Sequence, residues 1–194
     1  SRRNPSGRLH VQGRARALVP DAVLRGARVT SEQLSAEAAD KRPVVRELLA
    51  RDDDFSRYDK IRALWKGHSL AEDGRDLPGL ISTLTSDCVY ELVQTGHRWE
   101  GHAGATRFYT ELLTAFPDIT FSLTYIVIGP QGVCEEAVVS GTHVGSWLGY
   151  EQTGEKMTWR NVIFFPWDPQ AELFSGERVY TFFPGEAGPP WARS

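Results

Sequence analysis

Residues 101–126 read GHAGATRFYTELLTAFPDITFSLTYI, and the hydrophobic period changes inside that stretch. Ala105, Phe108, Tyr109, Leu112, Leu113 and Phe116 recur at three- and four-residue spacing, the signature of one helix face. Pro117 ends that helix, because proline restricts the residue before it and cannot continue the hydrogen-bond ladder. From Ile119 to Ile126 the pattern alternates: Ile119, Phe121, Leu123 and Tyr125 fall on one side, Thr120, Ser122 and Thr124 on the other. That is a strand with one apolar face. A helix therefore hands over to a sheet within two or three residues.

Working outward, the upstream segment stays helical and the downstream segment stays extended. Pro43 suits a first helical turn, and Val44, Val45, Leu48 and Leu49 follow at i,i+4 spacing. After the acidic break at Asp52 to Asp54, a second helix is predicted with Phe55, Tyr58, Ile61, Leu64 and Trp65 on one face. Asp76 is placed to cap a third helix running through Leu77, Pro78, Leu80, Ile81 and Leu84. Cys88 to Val93 reads as a strand ending at the Thr95-Gly96 turn. Beyond Gly129-Pro130, strands are predicted over 133–144, 156–165 and 173–183, with a Gly-rich loop before Lys156. Helices first and strands afterwards make an α+β fold, with helices packed on one face of a curved antiparallel sheet.

The chain of 194 residues carries a formal charge of −3 that is unevenly spread. Residues 1–28 hold seven arginines against Asp21 alone, whereas residues 67–194 hold seven basic and sixteen acidic side chains. None of the aromatic residues precedes Phe55. Residues 1–42 thus read as a basic, disordered extension, 43–184 as a single domain and 185–194 as a tail. No aromatic interleaves with the arginines and the body is acidic, so no nucleic-acid partner is expected. No apolar run approaches the ~18 residues that a membrane helix needs, so no membrane partner is expected either. Two cysteines, Cys88 and Cys134, form no disulfide framework, and a reducing cytoplasm is the expected location.

No phosphate-binding loop, dinucleotide glycine pattern, nucleophile elbow or HExxH motif is present. The five histidines are scattered without zinc-ligand spacing, so no metal and no cofactor are expected. Four features remain. His143 ends a strand beside a glycine loop, where it either exchanges protons near neutral pH or serves a structural hydrogen bond. Glu135 and Glu136 are adjacent on a strand, so one of the two points inward; Glu136 is taken as the candidate cavity carboxylate. On Gly176-Glu177-Arg178-Val179-Tyr180, period two separates Glu177 and Val179 from Arg178 and Tyr180. Trp147, Trp159, Trp167 and Tyr150 gather in and beside the Gly-rich loop, as pocket wall or as core.

Three stretches resemble the SnoaL-like polyketide cyclase and ester cyclase branch of the nuclear-transport-factor-2-like superfamily. Residues 101–118 look like its third helix with the terminal Phe116-Pro117-Asp118. Residues 140–154, SGTHVGSWLGYEQTG, look like its G-T-H-x-G hairpin, and residues 176–180 are similar to its closing strand. The likeness spans about residues 55–182. It implies a cone-shaped α+β barrel enclosing a pocket, commonly in a homodimer, and ring closure by intramolecular aldol condensation without a cofactor. Carried onto this chain, the resemblance implies Glu177, His143 and Tyr180 as catalytic positions. Relatives often carry Asp shortly after the position of Tyr180, where this chain reads Thr181-Phe182-Phe183-Pro184.

Two functions compete on this reading. One is an enzyme acting on a small hydrophobic carbonyl compound by proton transfer, a cyclase or isomerase. It would use Glu177, His143 and Glu136 as acid–base groups and Tyr180 or Tyr90 as donor to an enolate oxygen, with Trp147 and Trp159 lining the pocket. The other is a non-catalytic module of the same fold that binds a ligand or dimerises. The apolar runs Val162 to Phe165 and Val179 to Phe183 predict that both sheet faces are covered. A two-fold homodimer burying Phe164 or Phe165 and part of 179–183 is the expected assembly.

Overall fold

The computed structural model describes residues 42–51 and 54–183. The expected arm and tail fall outside the described residues, except for Arg42, which opens the first helix. The elements are α1 (Arg42–Leu49), α2 (Phe55–Asp73), α3 (Leu77–Ile81), β1 (Leu84–Leu92), β2 (His97–Glu100), α4 (Gly101–Ala115), β3 (Thr120–Gly129), β4 (Gly132–Thr142), β5 (Lys156–Asp168) and β6 (Leu173–Phe182). The six strands form one mixed sheet in the order β2-β1-β6-β5-β4-β3. The architecture is α+β, as the order of periods predicts, and the sheet is open, with β2 and β3 at its edges.

Local chemistry sets most of the boundaries. The Asp54 carboxylate accepts from Ser56 N at 2.8 Å and caps α2, while Asp76 accepts from Gly79 N at 3.0 Å and caps α3. α3 is shorter than its apolar pattern predicts: Leu84 leaves the helix and starts β1. Pro117 follows α4, whose last carbonyls meet Val144 N at 2.9 Å and so tie the helix end to the hairpin after β4. The short strand β2 has too few residues to show a period and goes unrecognised in the sequence.

One strand pairing departs from the expected antiparallel sheet. β1 and β6 run parallel, with Tyr90 opposite Glu177, because β6 returns from the far side of the sheet to lie between β1 and β5. The register of this pairing shifts between Leu84 and Val89, and against β5 the strand β6 carries one extra residue between Phe174 and Arg178, a bulge that includes Gly176, whose φ is +113°. A Cβ built there would lie 2.1 Å from the Val89 carbonyl oxygen, so only glycine lets the two backbones approach. The bulge also shifts the alternation of β6, so that Phe174 and Glu177, three residues apart, are both buried.

Strict alternation on β4 and β5 sends Glu135, Ala137, Val139, Trp159, Ile163 and Phe165 into the core. α4 covers β1 and β2, while α2 reaches over β3 and β4. The buried stripe of α2 differs from the expected one. Phe55 and Tyr58 are exposed, and Ile61, Trp65, His68 and Glu72 turn inward at spacings that repeat every helical turn.

Candidate active site

Between the helices and the concave sheet lies a cavity of about 370 Å³. Its wall is mostly aromatic and aliphatic, with Phe108, Phe121, Trp147, Trp159 and Phe183 among the lining side chains. The rings interlock: Trp147 lies 6.0 Å from Phe108 and 6.3 Å from Phe116, and Trp159 packs 5.5 Å from Phe116. Against this apolar wall stand two carboxylates, Glu177 from β6 and Glu72 from α2, together with the amide of Asn161.

Glu177 is buried and held from two sides. Tyr109 donates to its Oε1 at 2.7 Å, and His68 Nε2 faces the same oxygen at 3.0 Å. His68 sits edge-on to Phe165 at 5.4 Å and to Phe174 at 6.1 Å, which keeps water from its ring. The Tyr90 hydroxyl is 3.5 Å from that of Tyr109. Burial, followed by the neighbouring Glu177 charge, raises both phenols well above their ordinary values, so they stay protonated donors.

Glu72 lies one helical turn beyond His68 and lines the cavity. Burial, joined by the charges of Glu177, Glu135 and Asp73, pushes its carboxyl well above the usual range. Glu135 completes a trio of inward acids. It accepts from Trp65 Nε1 at 2.9 Å, and burial together with the Glu177 charge moves it up to about 7. Like charges crowded in a low-dielectric pocket cannot all ionise, so near neutral pH the cluster retains protons. The cavity wall thus offers a hydrogen-bonded carboxyl group beside an imidazole, and a second carboxyl group whose hold on its proton is strengthened.

The residues singled out in the sequence divide on this geometry. Glu177, Trp147 and Trp159 line the cavity. Tyr90 is buried on β1 opposite Glu177 in the sheet and is not among the residues lining the cavity. His143 is buried elsewhere: it stacks on Phe116 at 5.0 Å, meets Thr153 Oγ1 at 3.3 Å, and desolvation lowers its pKa. Its hairpin position over the end of α4 makes it a clamp between β4, β5 and that helix rather than a cavity residue. Tyr180 points to the outer sheet face, its ring 5.9 Å from Phe164, because period two opposes it to Val179. Glu136 also faces outward, bound to Arg160 and Thr124, and its neighbour Glu135 is the inward member of the pair.

The sequence reading does not single out His68, Glu72, Tyr109 or Asn161, and of the Glu135–Glu136 pair it takes the outward member as the cavity carboxylate. The first two continue the inward stripe of Ile61 and Trp65, but a polar side chain at helical spacing reads as solvent-facing from sequence alone. No group of three or more histidine, cysteine, aspartate or glutamate side chains among the described residues is arranged to hold a metal ion.

The family model for SnoaL-like polyketide cyclases matches residues 59–169, more than half of the chain. The chain belongs to this family. Its SnoaL-like cone is shared with AclR of Streptomyces galilaeus at 21% identity and a TM-score of 0.53, covering 65% of this chain and 81% of that one. The SnoaL-like protein of Jannaschia sp. CCS1 superposes with a TM-score of 0.55 at 18% identity, covering 68% and 91%. A polyketide-cyclase-like protein of Xanthomonas campestris gives 0.52 at 19% identity over 64% and 91%. At these identities the likeness establishes the fold. No curated protein matches the chain. Among the described residues no helix is long and apolar enough to cross a membrane.

Proposed function

We propose that this SnoaL-like chain acts on a hydrophobic, polyketide-like carbonyl compound by cofactor-free acid–base chemistry, as a cyclase or isomerase. The observation that carries the reading is the pairing of Glu177 and Glu72 at one apolar cavity wall, the first held by Tyr109 and His68 and the second kept protonated by its surroundings. A carboxyl group that holds its proton tightly, set beside one held by hydrogen-bond donors, supplies an acid and a base at one pH. Glu177 takes the proton from the carbon next to a carbonyl, and Glu72 donates to the oxygen on which charge develops. In a cyclase the resulting enol attacks a second carbonyl carbon of the same molecule, its hydroxyl proton returning to Glu72 while the new alkoxide takes the proton held by Glu177. In an isomerase the proton returns to a different carbon. Either course is redox-neutral, so no oxidant or reductant enters the balance.

In this scheme His68 takes the place that the sequence reading gave to His143, and Tyr109 that of Tyr180. Trp147 and Trp159 supply flat walls for a conjugated ligand. A second copy covering the outer face of the sheet belongs to the same proposal. Both described cysteines are free thiols, which suits the reducing cytoplasm in which we place the protein. A panel of polyketide-like and steroid-like carbonyl compounds tests the activity: turnover supports it. Saturable binding without turnover favours instead a ligand-binding module of the same fold, a reading consistent with Thr181 and Phe182 where relatives often carry an acid.

A further inference from the structure

We infer that Thr83 fixes the protonation pattern of His68, so that Nδ1 always carries hydrogen and Nε2 is the nitrogen that exchanges a proton with Glu177. The inference deepens the reading of His68 and Glu177 as the proton-handling pair and rests on it for its functional meaning.

The hydrogens available around Thr83 and His68 fix the pattern. Thr83 sits where α3 gives way to β1 and is buried together with His68 and Glu177. Its hydroxyl lies 2.6 Å from the Leu80 carbonyl oxygen, an atom that can only accept, so the single hydroxyl hydrogen is spent there. The same Oγ1 lies 2.6 Å from His68 Nδ1. With its hydrogen committed, Thr83 can only accept from the ring, and Nδ1 must be the donor. Nε2 then faces Glu177 Oε1 at 3.0 Å and the Tyr109 hydroxyl at 3.4 Å, whose hydrogen goes to the same Oε1, so a hydrogen bond between Nε2 and Oε1 needs one proton between them. Either a neutral ring accepts from a protonated Glu177, or an imidazolium donates to the carboxylate. In both states the ring keeps its orientation, and proton transfer between the partners needs no rotation. Thr83 is thus a positioning residue that touches neither the cavity ligand nor Glu177.

Long-range nitrogen–proton correlation spectra of ¹⁵N-labelled protein, recorded across the pH range for the wild type, Thr83→Ser and Thr83→Val, read this directly. The expected wild-type and Thr83→Ser spectra keep hydrogen on His68 Nδ1 throughout, with only Nε2 changing. Thr83→Val is expected to shift the neutral ring toward the Nε2–H form. A neutral wild-type ring with bare Nδ1, or a Thr83→Val ring with unchanged tautomer, overturns the inference; if Thr83→Val does not fold, the wild-type spectrum decides alone. With a turned-over substrate, Thr83→Val is expected to lower kcat by about 10²-fold with little change in KM, and Thr83→Ser to restore it. Spectra as expected in a protein that turns over nothing would leave the tautomer assignment standing and overturn the enzymatic reading instead.

Discussion

Three glutamates turn inward at the site, and their surroundings give each a testable signature. Glu72 must be protonated to donate, so activity is expected to fall as pH rises through its elevated pKa; Glu72→Gln should lower kcat and erase that alkaline limb, which a pH–rate profile measures. Glu135 contributes to stability with a definite sign. Its pKa rises from 4.5 to about 7 on folding, so the native state keeps a proton that the unfolded chain releases. The contribution is fully present below 4.5 and lost as pH rises through about 7, a change on the order of 3 kcal/mol. Urea unfolding at pH 5 and pH 8 should show that loss in the wild type and a much smaller one in Glu135→Gln. At this scale the sequence is only half legible. That one of Glu135 and Glu136 turns inward follows from the strand period. Which one cannot be read, because Cys134 and Val138 on one phase look as apolar as Val133 and Val139 on the other.

Among the elements, periodicity carried most of the fold and none of the long-range pairing. The change from helical to strand spacing at Pro117 places α4 and β3 to within a few residues, and the alternation of β4 and β5 defines their faces. The parallel pairing of β1 with β6 is a contact between segments more than eighty residues apart, and nothing local encodes it. The predicted α2 stripe reaches too far toward the N-terminus because Phe55 and Tyr58 are apolar, whereas the inward positions further on are the buried His68 and the half-buried Glu72. Polar residues on an inward stripe look like solvent-facing ones until the partner strand is known. The bulge at Gly176 joins topology to site: it permits the β1–β6 approach and aims the next residue, Glu177, at the cavity. Gly176→Ala puts a methyl group against a backbone oxygen that cannot yield, and is expected to cost about 2–4 kcal/mol in urea unfolding. Gly96→Ala, also at positive φ but in open space, should cost only about 1–2 kcal/mol.

For the whole molecule, the outer face of the sheet distinguishes the two phenylalanines named in the dimer expectation. Phe165 is core, while Phe164 is 43% exposed beside Tyr180, with Phe182 at 54% and Tyr125 at 68% on the same sheet. A second copy packed there would cover them. Sedimentation at micromolar concentration should show a dimer that Phe164→Glu converts to monomer without altering the cavity; a wild-type monomer would remove the dimer from the account. The central claim, that an apolar cavity presents Glu177 as a base to a carbonyl compound, has a more direct test. The measurement is hydrogen–deuterium exchange at the activated carbon of an aromatic β-diketone in D₂O, followed by NMR with wild-type protein and with Glu177→Gln. Wild-type protein should accelerate exchange well above buffer, and Glu177→Gln should lose roughly 10²–10⁴ of that acceleration while still binding the probe. Exchange no faster than in buffer, or equally fast in the variant, would contradict the claim.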